Sequence, residues 1–153
     1  MRDPIKLLVY QLDKKLQPFK GLEKQILPEK GWINAIRTSL NMTLDQLGIK
    51  LNTSKQSIKQ LEDREKTGAI SIKTMKEVAN SLDMHFVYGF VPKQGSIEKL
   101  VDLRAERLAR KIVMRTNQTM KLENQGTNDA QLNRAITELA KELKREMHKS
   151  LWD

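Results

Sequence analysis

Cysteine is absent from this 153-residue chain. That removes disulfide scaffolds, thiol catalysis and zinc sites of the cysteine type. Aromatic residues make up only 5%, so the core must rest on aliphatic packing and is thin. No run approaches the roughly 20 apolar residues that a membrane span requires. The opening Met-Arg-Asp-Pro lacks the apolar stretch and small-residue cleavage site of a secretory signal, so a soluble cytoplasmic protein with no membrane contact is expected. The two histidines, His85 and His148, share no metal-ligand spacing. No nucleophile–base pair, glycine-rich phosphate loop or metal cluster can be assembled. The sequence therefore predicts no enzyme, no cofactor and no metal. Glu62–Asp63 reads as a pair of helix-surface acids, Trp32 and Trp152 as packing anchors, and His148 as part of a solvated helix face.

What is abundant is positive charge. Twenty-eight Lys and Arg face 19 Asp and Glu, a net +9, which favours a polyanionic partner such as nucleic acid. Residues 1–30, 31–94 and 95–153 each carry +3: seven cations against four acids, nine against six, twelve against nine. The excess is thus spread through all three segments rather than held in a basic tail. Two stretches hold cations alone. Between Ile49 and Gln60 the charges are Lys50, Lys55 and Lys59; between Arg107 and Leu122 they are Arg107, Arg110, Lys111, Arg115 and Lys121. The second run suits either an acidic protein or phosphate, or is simply solvated surface.

Breaks are few. Pro18, Gly21, Pro28 and Gly31 form one, Pro92 with Gly95 a second, and the segment from Asn124 to Asp129 a third. Residues 4–15 place Ile5, Leu8, Val9, Leu12 and Leu16 at helical spacing. Residues 31–82 read as short helical segments. HFVYGFV at 85–91 is β-branched and aromatic and predicts the one strand. Beyond it, Ile97, Val101, Ala105, Leu108 and Ile112, then Leu132, Ile136, Leu139, Leu143 and Met147, predict a helical hairpin whose second helix opens at Asn128 and Asp129. The expectation is an all-α chain with one short strand, divided into an N-terminal helix and linker (1–30), a helical core (31–93) and the hairpin (94–153).

Residues 43–62, TLDQLGIKLNTSKQSIKQLE, have the spacing of a helix-turn-helix. Thr43 can cap a helix burying Leu44, Leu47 and Leu51. Gly48 lets the next helix cross closely, and Asn52 tolerates the left-handed turn position. Ser54 can cap the second helix, whose Ile58 and Leu61 pack inward. Lys55, Gln56, Ser57, Lys59 and Gln60 then remain outside, where Gln pairs well with adenine and Lys with guanine or phosphate. An ordinary helix pair with a solvated polar face has the same pattern.

Residues 31–93 resemble the Xre (Cro/CI-like) helix-turn-helix family, from WINAIRTSLNMT through this segment to LEDREKTGAISIKTMKEVANSLDM. The resemblance implies that the helix from Ser54 enters the major groove, with Lys55, Gln56, Lys59 and Gln60 as base readers. It implies phosphate contacts from Thr43, Ser54, Ser57 and Arg64. Leu44 stands where that family often has Gln, and Gly48 where Ala is usual, the latter at about 1 kcal/mol of helix propensity. The longer arrangement, including GWINAIR, HFVYGFVPK and RTNQTMKLENQ, resembles the group called mobile mystery protein A, which is typically encoded beside a Fic-domain partner in the manner of a toxin–antitoxin pair.

Residues 119–124, Thr-Met-Lys-Leu-Glu-Asn, match the inhibitory pattern of Fic antitoxins, [Ser/Thr]-x-x-x-Glu-[Gly/Asn]. Thr119 and Glu123 lie at i and i+4, on one helix face, and Asn124 suits a helix terminator. In that family the glutamate pairs with the arginine that would clamp the γ-phosphate of ATP. A glutamate at a helix end is otherwise a solvated charge. Together these features imply an antitoxin with a Fic-domain toxin, double-stranded operator DNA and a second copy of itself as partners. The homodimer is expected through pairing of the lone strand, whose backbone groups have no partner in their own chain. A stand-alone mobile-element or phage-type repressor with an oligomerising hairpin is the alternative. An interaction adaptor without DNA affinity is a third.

Overall fold

A computed structural model describes residues 3–122 and 128–153. Among them the chain is all-α, with helices α1 (Asp3–Leu16), α2 (Trp32–Ser39), α3 (Leu44–Lys50), α4 (Lys55–Thr67), α5 (Ile72–Ser81), α6 (Ile97–Leu122) and α7 (Asp129–Glu146). It divides into two compact units, one continuous (Lys24–Tyr88) and one discontinuous (Met1–Glu23 with Gly89–Asp153). The sequence division at residues 30 and 93 separated the N-terminal helix from the hairpin; the structure places them in one unit.

The bond that ties them is remote in sequence. Asp13 on α1 accepts from the backbone N–H of Ile97 at 2.6 Å and of Glu98 at 3.2 Å. With Ser96 accepting from Lys99 N at 3.0 Å, it satisfies donors that the first turn of α6 leaves open. The apolar face of α1 is only partly covered: Ile5, Val9 and Leu16 are half-buried, whereas Leu8 and Leu12 are exposed.

α6 and α7 run antiparallel over a core of Val101, Ala105, Ala109, Ile136, Leu143 and Leu151. The α6 seam departs from the expected stripe. It follows every fourth residue from Val101 to Ala109 and on to half-buried Val113 and buried Asn117, leaving Ile112 41% exposed. A four-residue repeat drifts around a helix of 3.6 residues per turn, so the buried face winds as the helices cross. Lys144 on α7 reaches back to Asp102 at 2.7 Å and Glu98 at 3.3 Å. The hydrogen bond it donates to Asp102 chiefly raises its pKa, against the effect of burial. α7 starts with a capping box between Asn128 and Gln131. His148 is not on a helix face: it caps the final 3-10 turn, Lys149–Trp152, accepting from Ser150 N at 3.2 Å.

In the continuous unit, α2 to α5 enclose Ile33, Leu47, Ile58, Val78 and Leu82. Three of its helices end alike, on Leu followed by Asn or Asp in the left-handed region: Asn41 (φ 52), Asn52 (φ 54) and Asp83 (φ 56). In each case the next residue's N–H returns to the helix, Met42 to Arg37 O at 3.0 Å, Thr53 to Gly48 O and Met84 to Ala79 O at 2.8 Å. This is the Schellman closure, built on the residues that tolerate that conformation best after glycine.

Two expectations change. Glu62 is not a surface acid, since it is 3% exposed and bound to Arg37 and Asn34. Neither Trp32 nor Trp152 is buried, at 47% and 49% exposed; Trp32 borders an apolar groove of about 350 Å³ with Ile36, Met75, Ala79 and Phe86. Residues 85–91, where a strand is expected, carry no strand, and among the described residues they make no backbone hydrogen bond. A strand requires a ladder partner, and the described residues supply none.

Candidate nucleic-acid interface

The α3–α4 pair is fixed at both caps. Thr43 Oγ1 accepts from Gln46 N at 3.0 Å while Gln46 Oε1 accepts from Thr43 N at 2.8 Å, a complete capping box. Ser54 Oγ accepts from Ser57 N at 3.1 Å and opens α4. Between them the chain turns at Asn52, and Gly48 lies against it: a Cβ there would stand 2.7 Å from the carbonyl oxygen of Thr53. The close approach expected of Gly48 is thus tighter than alanine allows. Propensity alone favours Gly48→Ala by about 1 kcal/mol, whereas forcing a methyl against fixed backbone costs about 1–3 kcal/mol. We predict a lower urea midpoint for Gly48→Ala; a higher one would mean that the turn yields without loss.

α4 has two working faces. Inward lie Ile58, 0% exposed, and the Glu62 carboxylate. Its Oε2 accepts from Arg37 Nε at 2.6 Å, and its Oε1 from Asn34 Nδ2 at 2.8 Å and Arg37 Nη2 at 3.1 Å. Arg37 also donates to Met42 O at 2.9 Å. Burial pushes the Glu62 pKa up, but the bonds from Arg37 and Asn34 and the charges of Arg37 and Lys59 outweigh it, so the net shift is downward. One turn on, Glu65 accepts from Trp32 N at 2.6 Å and Ile33 N at 2.9 Å, capping α2 where Gly31 has no side chain to do so. A Cβ on Gly31 would meet that carboxylate at 2.9 Å, and its φ of +91 also favours glycine. Glu62 and Glu65 therefore hold α2 on one side of α4.

Outward lie Lys55, Gln56, Lys59, Gln60 and Arg64, all exposed. At helical spacing they form two rows, Lys55–Lys59 and Gln56–Gln60–Arg64. Lys59 is loosely paired with Asp63 at 3.5 Å, both side chains about 60% exposed (62% and 61%); such a pair is weak and gives way to a better anion. Ser57 is half-buried with its hydroxyl 3.1 Å from Ser54 Oγ, which makes it a support for the cap as much as a contact. Thr43 and Ser54 are exposed at their helix starts.

Three polar residues absent from the sequence expectation lie beside these. A cleft of about 270 Å³ is lined by Ser57, Gln60 and Arg64 together with Thr53, Thr74 and the acid Glu77. Thr74 comes from the first turn of α5, so no local pattern connects it to α4. Of the inhibitory motif, Thr119 is exposed on α6 and donates to Arg115 O at 3.2 Å; Glu123 and Asn124 lie outside the described residues. Among the described residues no group of three or more His, Asp or Glu could hold a metal, and no helix is long and apolar enough to cross a membrane. No protein-family model, curated protein or solved structure matches the chain.

Proposed function

We propose that this chain is a DNA-binding antitoxin of the Xre helix-turn-helix type. In this reading α4 lies in the major groove of its own operator, and the 119–124 motif restrains a Fic-domain AMP-transferase. The observation that carries the DNA-binding part is the outer face of α4. Two rows of Lys, Gln and Arg stand exposed on a helix whose start is capped by Ser54 and whose inner face is braced through Glu62 and Glu65. A helix so held presents its side chains at a fixed rotation, as base readout requires. The Lys and Gln side chains supply donors and acceptors for base edges, and Thr43, Ser54 and Arg64 supply phosphate donors.

The antitoxin part rests on the resemblance of Thr119, Glu123 and Asn124 to the Fic-inhibitory pattern. The homodimer rests on residues 85–91, whose backbone groups make no hydrogen bond among the described residues. Antiparallel pairing of two such segments would satisfy them.

The test joins affinity capture from host extract with an AMP-transfer assay. Wild-type chain should retain a Fic-domain protein and suppress its AMP transfer. Glu123→Gly should release that suppression while operator affinity stays within twofold. Recovery of operator DNA and the chain alone would replace the antitoxin by the stand-alone repressor.

A further inference from the structure

The hairpin carries a charged surface that the helix-turn-helix does not use. α7 is electrically balanced, with Arg134, Lys141, Lys144 and Arg145 against Asp129, Glu138, Glu142 and Glu146. Half of its charges are spent on neighbours among the described residues: Arg145 lies 2.6 Å from Glu142 and 3.7 Å from Glu146, and Lys144 is turned onto α6. α6 is different. From Arg104 to Lys121 it has six cations and one acid, Glu106, which Arg110 occupies at 3.3 Å.

Arg107, Lys111 and Arg115 each fall two residues after a seam position, Ala105, Ala109 and Val113. Two residues are about 200° of helix rotation, so the three sit opposite the packed face and follow its winding. All three are exposed, and among the described residues none of their side chains has a hydrogen bond or ion pair. With a rise of about 1.5 Å per residue, the row covers roughly 12 Å, the axial reach of three to four phosphates on one DNA strand. A protein-binding surface would be expected to centre on aromatic or aliphatic anchors and to be poor in Lys. Between Arg107 and Gln118 two large apolar side chains are exposed, Ile112 at 41% and Met114 at 40%, and at about 100° per residue they flank the row on opposite sides rather than forming one anchor within it.

We infer that the outer face of α6 is a second DNA-binding surface, one that grips the phosphate backbone of a duplex through Arg107, Lys111 and Arg115 without reading sequence. It stands apart from the α4 reading: nothing in it requires a base contact, and it predicts affinity for duplex of any sequence.

The experiment uses the full chain and a labelled random-sequence duplex, with affinity measured by anisotropy across a KCl series. The variant is Arg107→Gln with Lys111→Gln and Arg115→Gln, with a charge-reversed Glu triple as a second. Helical circular dichroism and the urea midpoint should match wild type. Each lost phosphate contact reduces the slope of log K against log[salt] by about 0.9, so the Gln triple should be shallower by about 2.7. The ratio of operator to random affinity should not change.

An unchanged slope overturns the inference, as does a wild-type chain without affinity for random duplex. So would loss of a captured acidic protein with the slope intact, which would assign the face to that protein instead. If Lys55→Ala with Gln56→Ala leaves operator preference intact, or no preference exists, the α4 reading fails while a shallower slope in the Gln triple still upholds this one.

Discussion

Glu62→Gln should remove about 3–5 kcal/mol from the unfolding free energy of the continuous unit, the usual cost of breaking a buried ion pair. The carboxylate accepts three side-chain hydrogen bonds, two from Arg37 and one from Asn34. An amide of the same shape would turn a donor towards a guanidinium that only donates. Arg37, with its side chain 12% exposed, would be left as a charge without its counter-ion. The pair also predicts a pH dependence. Because the Glu62 pKa is lowered in the folded state, its stabilisation is complete above the unfolded carboxylate value, about 4.3. It is lost as pH falls through the lower folded value. Wild type should therefore weaken below about pH 4 more steeply than Glu62→Gln does. Urea unfolding followed by Trp32 fluorescence in a Trp152→Phe background reads both. A loss under about 1 kcal/mol would put the pair in the class of exposed ion pairs.

The second large effect concerns DNA. Lys55→Ala with Gln56→Ala should abolish operator selectivity while leaving the fold intact, since both side chains are exposed and neither has an ion pair or hydrogen bond among the described residues. A good base contact discriminates by about 1–3 kcal/mol, so losing two should lower the ratio of operator to scrambled affinity by about 2–6 kcal/mol in free-energy terms. The ratio must be taken at one salt concentration, because removing Lys55 also weakens non-specific binding. A surviving ratio would place the base readers elsewhere.

The sequence disclosed whatever is settled within one turn of chain. Thr43, Ser54 and Asn128 were recognisable as caps, and Asn52 as a left-handed turn, because each bonds or bends within a few residues. Gly48 was recognisable as a point of close approach, though not as one too tight for alanine. Glu62, Glu65 and Asp13 were not recognisable. Their partners lie 25 to 85 residues away, and an acid on a helix gives no local sign of which face it occupies. The α6 seam was misplaced by one position for a related reason. Ile112 is the more hydrophobic choice, but the crossing with α7 buries the small Ala109 instead, where helices can approach closely. The outer face of α4 was legible as a row of residue types; the carboxylates that hold it were not.

The Asp13–Ile97 bond spans 84 residues, and most of what lies between them is the continuous unit. That nesting sets an order of assembly. Residues 24–88 contain all they need to collapse once they have left the ribosome, while α1 waits for α6, made later. Closing so long a loop is entropically slow in an open chain. Prior folding of the intervening unit shortens the effective tether. Refolding should thus show the continuous unit forming first and the α1 contact last, with the exposed leucines of α1 the stretch most open to chaperones in the interval.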